Sequence, residues 1–156
     1  MPKGLKLLIS VAIPLLVGFI GSLFTSSSVN TWYKEINRPS FTPPSWLFAP
    51  AWTLLFILMG LAFYYVWLNN FGHNRTLVIG IFALQLVLNL LWSLLFFGLR
   101  SPLTALIEIV VLWFVILLNI ILFFRVSRVA GYLLVPYLLW VTFATVINLA
   151  IYLLNR

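Results

Sequence analysis

Five long apolar stretches, separated by short polar breaks, constrain this chain more than any other feature. A helix that crosses a hydrocarbon core takes about 20 predominantly apolar residues. Inside lipid the helix satisfies its own backbone donors and acceptors. The stretches predict helices over about 5–24, 46–67, 76–97, 102–124 and 129–154, with residues 29–45 as the longest loop. The predicted fold class is therefore an all-α integral membrane protein, a five-transmembrane-helix bundle forming one transmembrane domain over 1–156.

Composition supports the same solvent. Of 156 residues, 64% are hydrophobic and only 7% charged, with a mean hydropathy of +1.17. A water-soluble domain carries about a quarter charged residues, so this outer surface must face lipid. Five spans take up about 100 residues, which leaves no room for a soluble domain. The first apolar run, Leu5 to Phe24, is long for a secretory signal and lacks a convincing small-residue cleavage site, so it is read as a retained helix.

The net charge of +7 does not indicate nucleic acid. The nine Lys and Arg residues occur singly or in pairs at the ends of apolar runs, where helix ends meet lipid headgroups. With five spans, Lys3, Lys6, Arg75, Arg125 and Arg128 share one side; Lys34, Arg38, Arg100 and Arg156 share the other. Five against four is too small a bias to orient the chain.

The loop at 29–45 holds Pro39, Pro43 and Pro44, which favour stiff, extended backbone. It is read as a semi-rigid flap, and Ser26, Ser27 and Ser28 are expected to end the helix before it. Pro102 opens the fourth helix, where its missing N–H costs least. Pro136 is expected to bend the fifth. No internal repeat is visible, which speaks against an inverted-repeat transporter.

Conventional catalytic groups are scarce. There is no Asp and no Cys, and there are only two Glu and one His. A Ser-His-Asp triad, a carboxylate pair or a metal cluster cannot be assembled within one chain. His73 reads as a solvated turn residue. Glu108 is an intramembrane acid: either a functional group or a packing group bonded to a neighbouring helix, with Thr104 on its face as a partner. Gln85, Asn89, Trp92 and Ser93 fall close to one helical face. They serve either interhelical hydrogen bonding or a cavity lining. Trp52, Phe56, Met59, Phe63 and Trp67 form a stripe on the second helix; Tyr137, Trp140, Ala144 and Asn148 form one on the fifth. Such stripes are usually packing. Trp52 and Trp140, however, combine aromatic walls with small or polar neighbours, the makings of a pocket for a planar apolar ligand. Small-residue spacings at Gly18 and Ser22, and at Gly80 and Ala83, permit close helix contact within or between chains.

Three segments resemble a known family. Trp32-Tyr33, Pro39, Pro43-Pro44, Phe48, Trp52-Thr53, Met59-Gly60 and Trp67 resemble the first signature of the TspO/MBR family of tryptophan-rich sensory proteins and translocator proteins (peripheral benzodiazepine receptors). Gln85-Leu86, Asn89, Trp92 and Phe96-Phe97-Gly98 resemble the second, and Pro136-Tyr137, Trp140, Phe143-Ala144-Thr145 and Asn148 the third. The resemblance implies a five-helix bundle, often dimeric, with a pocket beneath the first loop that binds porphyrins and isoquinoline-carboxamide drugs. By position, that pocket includes Tyr33, Pro43, Trp52, Asn89, Trp92, Trp140 and Ala144, with the Pro-rich loop as lid, Trp52 and Trp140 as walls and Asn89 as a hydrogen-bonding group. Glu108 falls where members often carry an acid. Sterol-binding relatives carry Tyr where this chain has Leu149, so the resemblance points away from cholesterol and toward bacterial-type tetrapyrrole handling in a cell membrane.

The leading expectation is a porphyrin-binding membrane protein acting as sensor, scavenger or carrier, with Lys34 and Arg38 meeting the ligand's carboxylates. The expected partners are a planar amphiphile, the lipid bilayer and a second copy; no nucleic acid, metal or resident cofactor is expected. The alternatives are light-driven porphyrin breakdown at Trp52 and Trp140, a small-molecule transporter, and a bundle that serves mainly to assemble with partners.

Overall fold

The computed structural model describes residues 1–156 and is all helical. Helix α1 spans Lys3–Ser28 and a one-turn α2 spans Trp32–Glu35. A 3-10 turn at Ser45–Leu47 leads into α3, Phe48–Leu68. Helix α4, Arg75–Ser93, runs on through a π turn at Leu94–Gly98; α5 is Pro102–Val126 and α6 is Arg128–Asn155. Five of these segments are long and apolar enough to cross a membrane. Large side chains such as Leu16, Phe19, Leu54, Val87, Phe114 and Leu139 lie exposed around their outer faces. The chain is a multi-pass integral membrane protein.

Several boundaries differ from the sequence expectation. Helix α1 continues through Ser26, Ser27 and Ser28 rather than ending before them. The hydroxyls of Ser22, Ser26 and Ser27 donate to the carbonyls of Phe19, Leu23 and Phe24, so each serine is satisfied inside the helix. The flap contains α2, which carries Tyr33 into the protein. The predicted third helix closes with a π turn, in which the Leu99 N–H donates to the Leu94 carbonyl at 2.7 Å. Three caps follow the usual rule. The side chains of Asn74, Ser101 and Ser127 accept from the N–H groups of Leu77, Thr104 and Ala130.

The long helices form a closed ring. α1 packs on α3, α3 on α6, α6 on α5, α5 on α4, and α4 on α1. Gly60 makes the α1–α3 contact possible: a Cβ there would lie 2.5 Å from the Val11 Cα and 2.7 Å from the Ser10 carbonyl oxygen. Gly18 is also taken up within the chain, against the Phe56 ring, whereas Gly80 has open space around it.

The ring has two unlike halves. Toward the α3–α4 turn, Phe63 lies 4.7 Å from Phe82, Phe82 stacks on Phe123 at 5.6 Å, and Trp67 stacks on Phe71 at 6.1 Å. This half is filled with aromatic rings. Toward α2 the helices spread around a cavity.

Candidate ligand cavity

The cavity has a volume of about 490 Å³. It is bounded by the last turns of α1, the first turns of α3, the end of α4 with its π turn, and α6 from Trp140 to Ile151, roofed by Tyr33 and Pro43. All seven residues expected at a pocket, Tyr33, Pro43, Trp52, Asn89, Trp92, Trp140 and Ala144, line it.

Aromatic contacts hold the walls in place. The Trp52 and Trp140 rings meet edge to face, 6.3 Å apart. Trp52 also stacks on Phe56 at 5.7 Å, and Trp140 leans on Phe143 at 6.2 Å. On the opposite wall Trp92 stacks on Phe96 at 5.1 Å. Edge-to-face and offset-stacked pairs of this kind contribute beyond their burial, so the walls are stiff before any ligand arrives.

The polar groups are mostly committed to each other. Asn89 Nδ2 donates to the Tyr137 hydroxyl at 2.8 Å, which leaves Oδ1 as the free acceptor of that side chain. The Trp92 indole N–H donates to Asn148 Oδ1 at 3.0 Å, and Asn148 Nδ2 donates to the Pro102 carbonyl at 2.9 Å. Asn148 thereby joins α4, α5 and α6 at one point. Trp113 uses its indole N–H on Thr142; those of Trp52 and Trp140 find no partner within the chain. The cavity therefore offers apolar faces with a few unengaged donors and acceptors, the usual make-up of a small-molecule site.

The roof is fastened at both ends. The Asn37 N–H donates to Asn155 Oδ1 at 2.9 Å, Asn155 Nδ2 donates to the Asn37 carbonyl at 2.7 Å, and Asn37 Nδ2 donates to the Leu154 carbonyl at 3.4 Å. At the α1 side, Ser28 Oγ donates to the Phe97 carbonyl and accepts from Arg100 Nε at 3.2 Å. Buried Tyr33 sits between these points, edge-on to Phe48 at 5.9 Å and tilted against Phe97 at 5.6 Å. Burial pushes its phenol pKa up, and the nearby positive charge of Arg38 pulls it part way back.

Arg38 and Lys34 do not line the cavity. Arg38 lies over the Tyr33 ring, its guanidinium carbon 4.9 Å from the centroid, and Lys34 is exposed on α2. Both belong to the loop that roofs the cavity, outside its lining. Glu108 is also outside the cavity: it is buried in α5, and neither carboxylate oxygen has a hydrogen-bond partner. The pairing expected with Thr104 does not form. Thr104 Oγ1 accepts from Ser101 Oγ at 2.9 Å, because the start of α5 is organised by the Ser101 cap.

The share contributed by α1 was not anticipated from the sequence. Phe19, Ser22 and Ser26 line the cavity and are also exposed, as are Ala49 and Thr53 facing them on α3. The cavity opens sideways between these two helices. The only sequence signal was the recurrence of small residues at Gly18, Ser22 and Ser26.

Comparison with known proteins places this geometry in context. The family model described as the TspO/MBR family matches residues 10–154. The "Tryptophan-rich protein TspO" of Archaeoglobus fulgidus is 50% identical over 151 residues, 97% of each chain. That of Chlorobaculum tepidum is 47% identical over 152 residues, 97% of this chain and 96% of its own. The human "Translocator protein" is 33% identical over 141 residues, 89% of this chain and 83% of its own.

Proposed function

Starting from the fact that the chain belongs to the TspO/MBR family, we propose that it binds a porphyrin or a similar planar amphiphile in the cavity under the first loop, as a sensor, scavenger or carrier. The observation that carries this reading is the aromatic box: Trp52, Trp140, Trp92 and Phe143 around an apolar volume of about 490 Å³. Flat faces favour a flat ligand, since stacking and edge contacts are gained without reordering the walls. The ligand's carboxylates would lie toward the roofing loop, where Arg38 and Lys34 supply positive charge. Isoquinoline-carboxamide compounds suit the same walls, with the unengaged indole N–H groups and Asn89 Oδ1 as hydrogen-bonding groups.

The test is a titration of the detergent-solubilised protein with protoporphyrin in the dark, read by tryptophan fluorescence. Saturable quenching at one site is expected, and weaker binding in the Trp52→Phe, Trp140→Phe double variant. Quenching that never saturates, or that the double variant leaves unchanged, overturns the reading.

One observation favours a second activity at the same site. Trp52 and Trp140 line the cavity in edge-to-face contact with each other, and neither indole N–H is engaged within the chain. An illuminated porphyrin held there, with dioxygen as the terminal oxidant, is well placed to oxidise them and to be broken down. Loss of the porphyrin absorbance under light, in air, only with both tryptophans present, is the expected signature. Equal loss with the double variant removes it.

A further inference from the structure

The end of the bundle away from the cavity carries five cationic side chains and no acidic one. Lys3 and Lys6 stand at the start of α1, Arg75 at the start of α4, and Arg125 and Arg128 flank the α5–α6 junction. Both acidic residues lie elsewhere: Glu35 is in α2 at the cavity end, and Glu108 is buried near the cavity end of α5.

These cations are arranged on a built platform. Lys6 Nζ lies 5.7 Å over the Trp67 ring, Trp67 stacks on Phe71 at 6.1 Å, and the Arg75 guanidinium lies 5.1 Å over the Phe71 ring. The turn between α3 and α4 that holds Phe71 is tightly wound. Asn70, Phe71 and Gly72 are consecutive left-handed residues, with φ of 53°, 63° and 70°. For the two non-glycine residues this conformation is unfavourable, and the buried Phe71 ring anchors it. The same turn presses Gly72 against Val126, where an added Cβ would meet Cγ2 at 2.8 Å. Arg75 is thereby brought to the side of the bundle that carries Arg125 and Arg128.

We propose that this face docks the phosphate headgroups of anionic phospholipids in the adjoining leaflet. The charge is complementary and unopposed, and a headgroup phosphate is the anion found at the depth of these helix ends. A guanidinium lying over a ring keeps its edge N–H groups available, and these match phosphate oxygens in pairs. The aromatic rings beneath are packed into the helix ends at this interfacial depth, so they hold the cations above them at headgroup level. Lipid rather than nucleic acid is indicated because the cations ring the ends of lipid-facing helices instead of forming a continuous track.

The protein would be reconstituted in phosphatidylcholine bilayers with trace spin-labelled phosphatidylglycerol or phosphatidylcholine, and the immobilised fraction of each lipid measured. A several-fold preference for phosphatidylglycerol is expected at low salt. It should approach unity at 1 M salt, where the Debye length is only about 3 Å. The Arg75→Gln, Arg125→Gln, Arg128→Gln triple variant should lose most of the preference. Arg125→Gln alone, which touches none of the aromatic platform, should lose part of it, so a failure of the triple variant to fold would not hide the result. A matched triple variant at the cavity end, Lys34→Gln with Arg38→Gln and Arg156→Gln, should lose less. Equal association of the two lipids at low salt overturns the proposal. So does a preference that survives the triple variant, a larger loss in the cavity-end variant, or full competition by soluble glycerol phosphate, which would make the site one for a free anion.

Discussion

Replacing Asn148 with leucine tests whether the cavity wall depends on the three-helix junction beneath it. Leucine is close in volume and keeps the site apolar, so the perturbation is confined to hydrogen bonding. It removes the acceptor of the Trp92 indole N–H, at 3.0 Å, and the donor to the Pro102 carbonyl, at 2.9 Å. Hydrogen bonds between membrane helices contribute about 0.6 kcal/mol on average and about 1.7 at most. Two of them give a loss of about 1–3 kcal/mol. The upper half of that range is favoured because Asn148 is buried at 1% exposure, so water cannot replace what is lost. Reversible unfolding in mixed micelles, followed by circular dichroism, reads the change directly. A double-mutant cycle with Trp92→Phe isolates the indole bond, with an expected coupling of about 0.6–1.7 kcal/mol. Protoporphyrin affinity should fall in parallel, since the Trp92 ring then keeps only its stacking on Phe96 and its edge contact with Phe97. The control is Thr142→Val, which breaks the exposed bond from Trp113 on the lipid face. If Asn148→Leu costs no more than that control, or shows no coupling to Trp92→Phe, the junction does not hold the wall.

Three further outcomes follow from the same geometry. Ala144→Phe places a ring in open cavity volume, so it should weaken protoporphyrin binding on the order of tenfold or more while leaving the unfolding midpoint almost unchanged; unchanged affinity would mean the ligand sits elsewhere. Gly60→Ala should destabilise by about 1–3 kcal/mol, since its Cβ would meet α1 backbone rather than a movable side chain. Gly80→Ala, with open space at that position, should instead gain about 0.5–1 kcal/mol from helix propensity, and equal effects from the two would refute the packing argument. Asn155→Ala removes the two hydrogen bonds that this α6 side chain makes to the Asn37 backbone in the roof, each worth about 0.5–1.5 kcal/mol. Stopped-flow dissociation of porphyrin should accelerate several-fold, and an unchanged rate would show that release does not pass the roof.

The spans and the family were legible because they rest on local quantities: run length, hydropathy and the spacing of Trp, Pro and Asn. Long-range pairings were not. Asn37 and Asn155 are 118 positions apart, and nothing near either residue marks it as a latch. Thr104 lies one turn from Glu108 and so looked like its partner, yet the Ser101 cap one turn the other way claims it. The π turn is equally nonlocal. It is held through the Phe97 carbonyl by Ser28, which is 69 positions away.

The stripe on α3 shows why residue type alone does not locate a site. Trp52, Phe56, Met59, Phe63 and Trp67 share one helical face and one chemical character. Phe63 and Trp67 are met by Phe82 and Phe71, rings that fill the space between helices. Phe56 fills the space over Gly18 on α1, but across from Trp52 stand Ala144, Asn89 and Ser22. The cavity is made by what is small opposite the aromatic wall, not by the wall itself. Ala144, Asn89 and Ser22 lie on three separate helices, so the periodicity of no one helix marks them as a group. Their meaning appears only when the closed ring of helices sets them opposite the tryptophans, which is why filling the gap at Ala144 probes the site with less disturbance than removing the wall at Trp52.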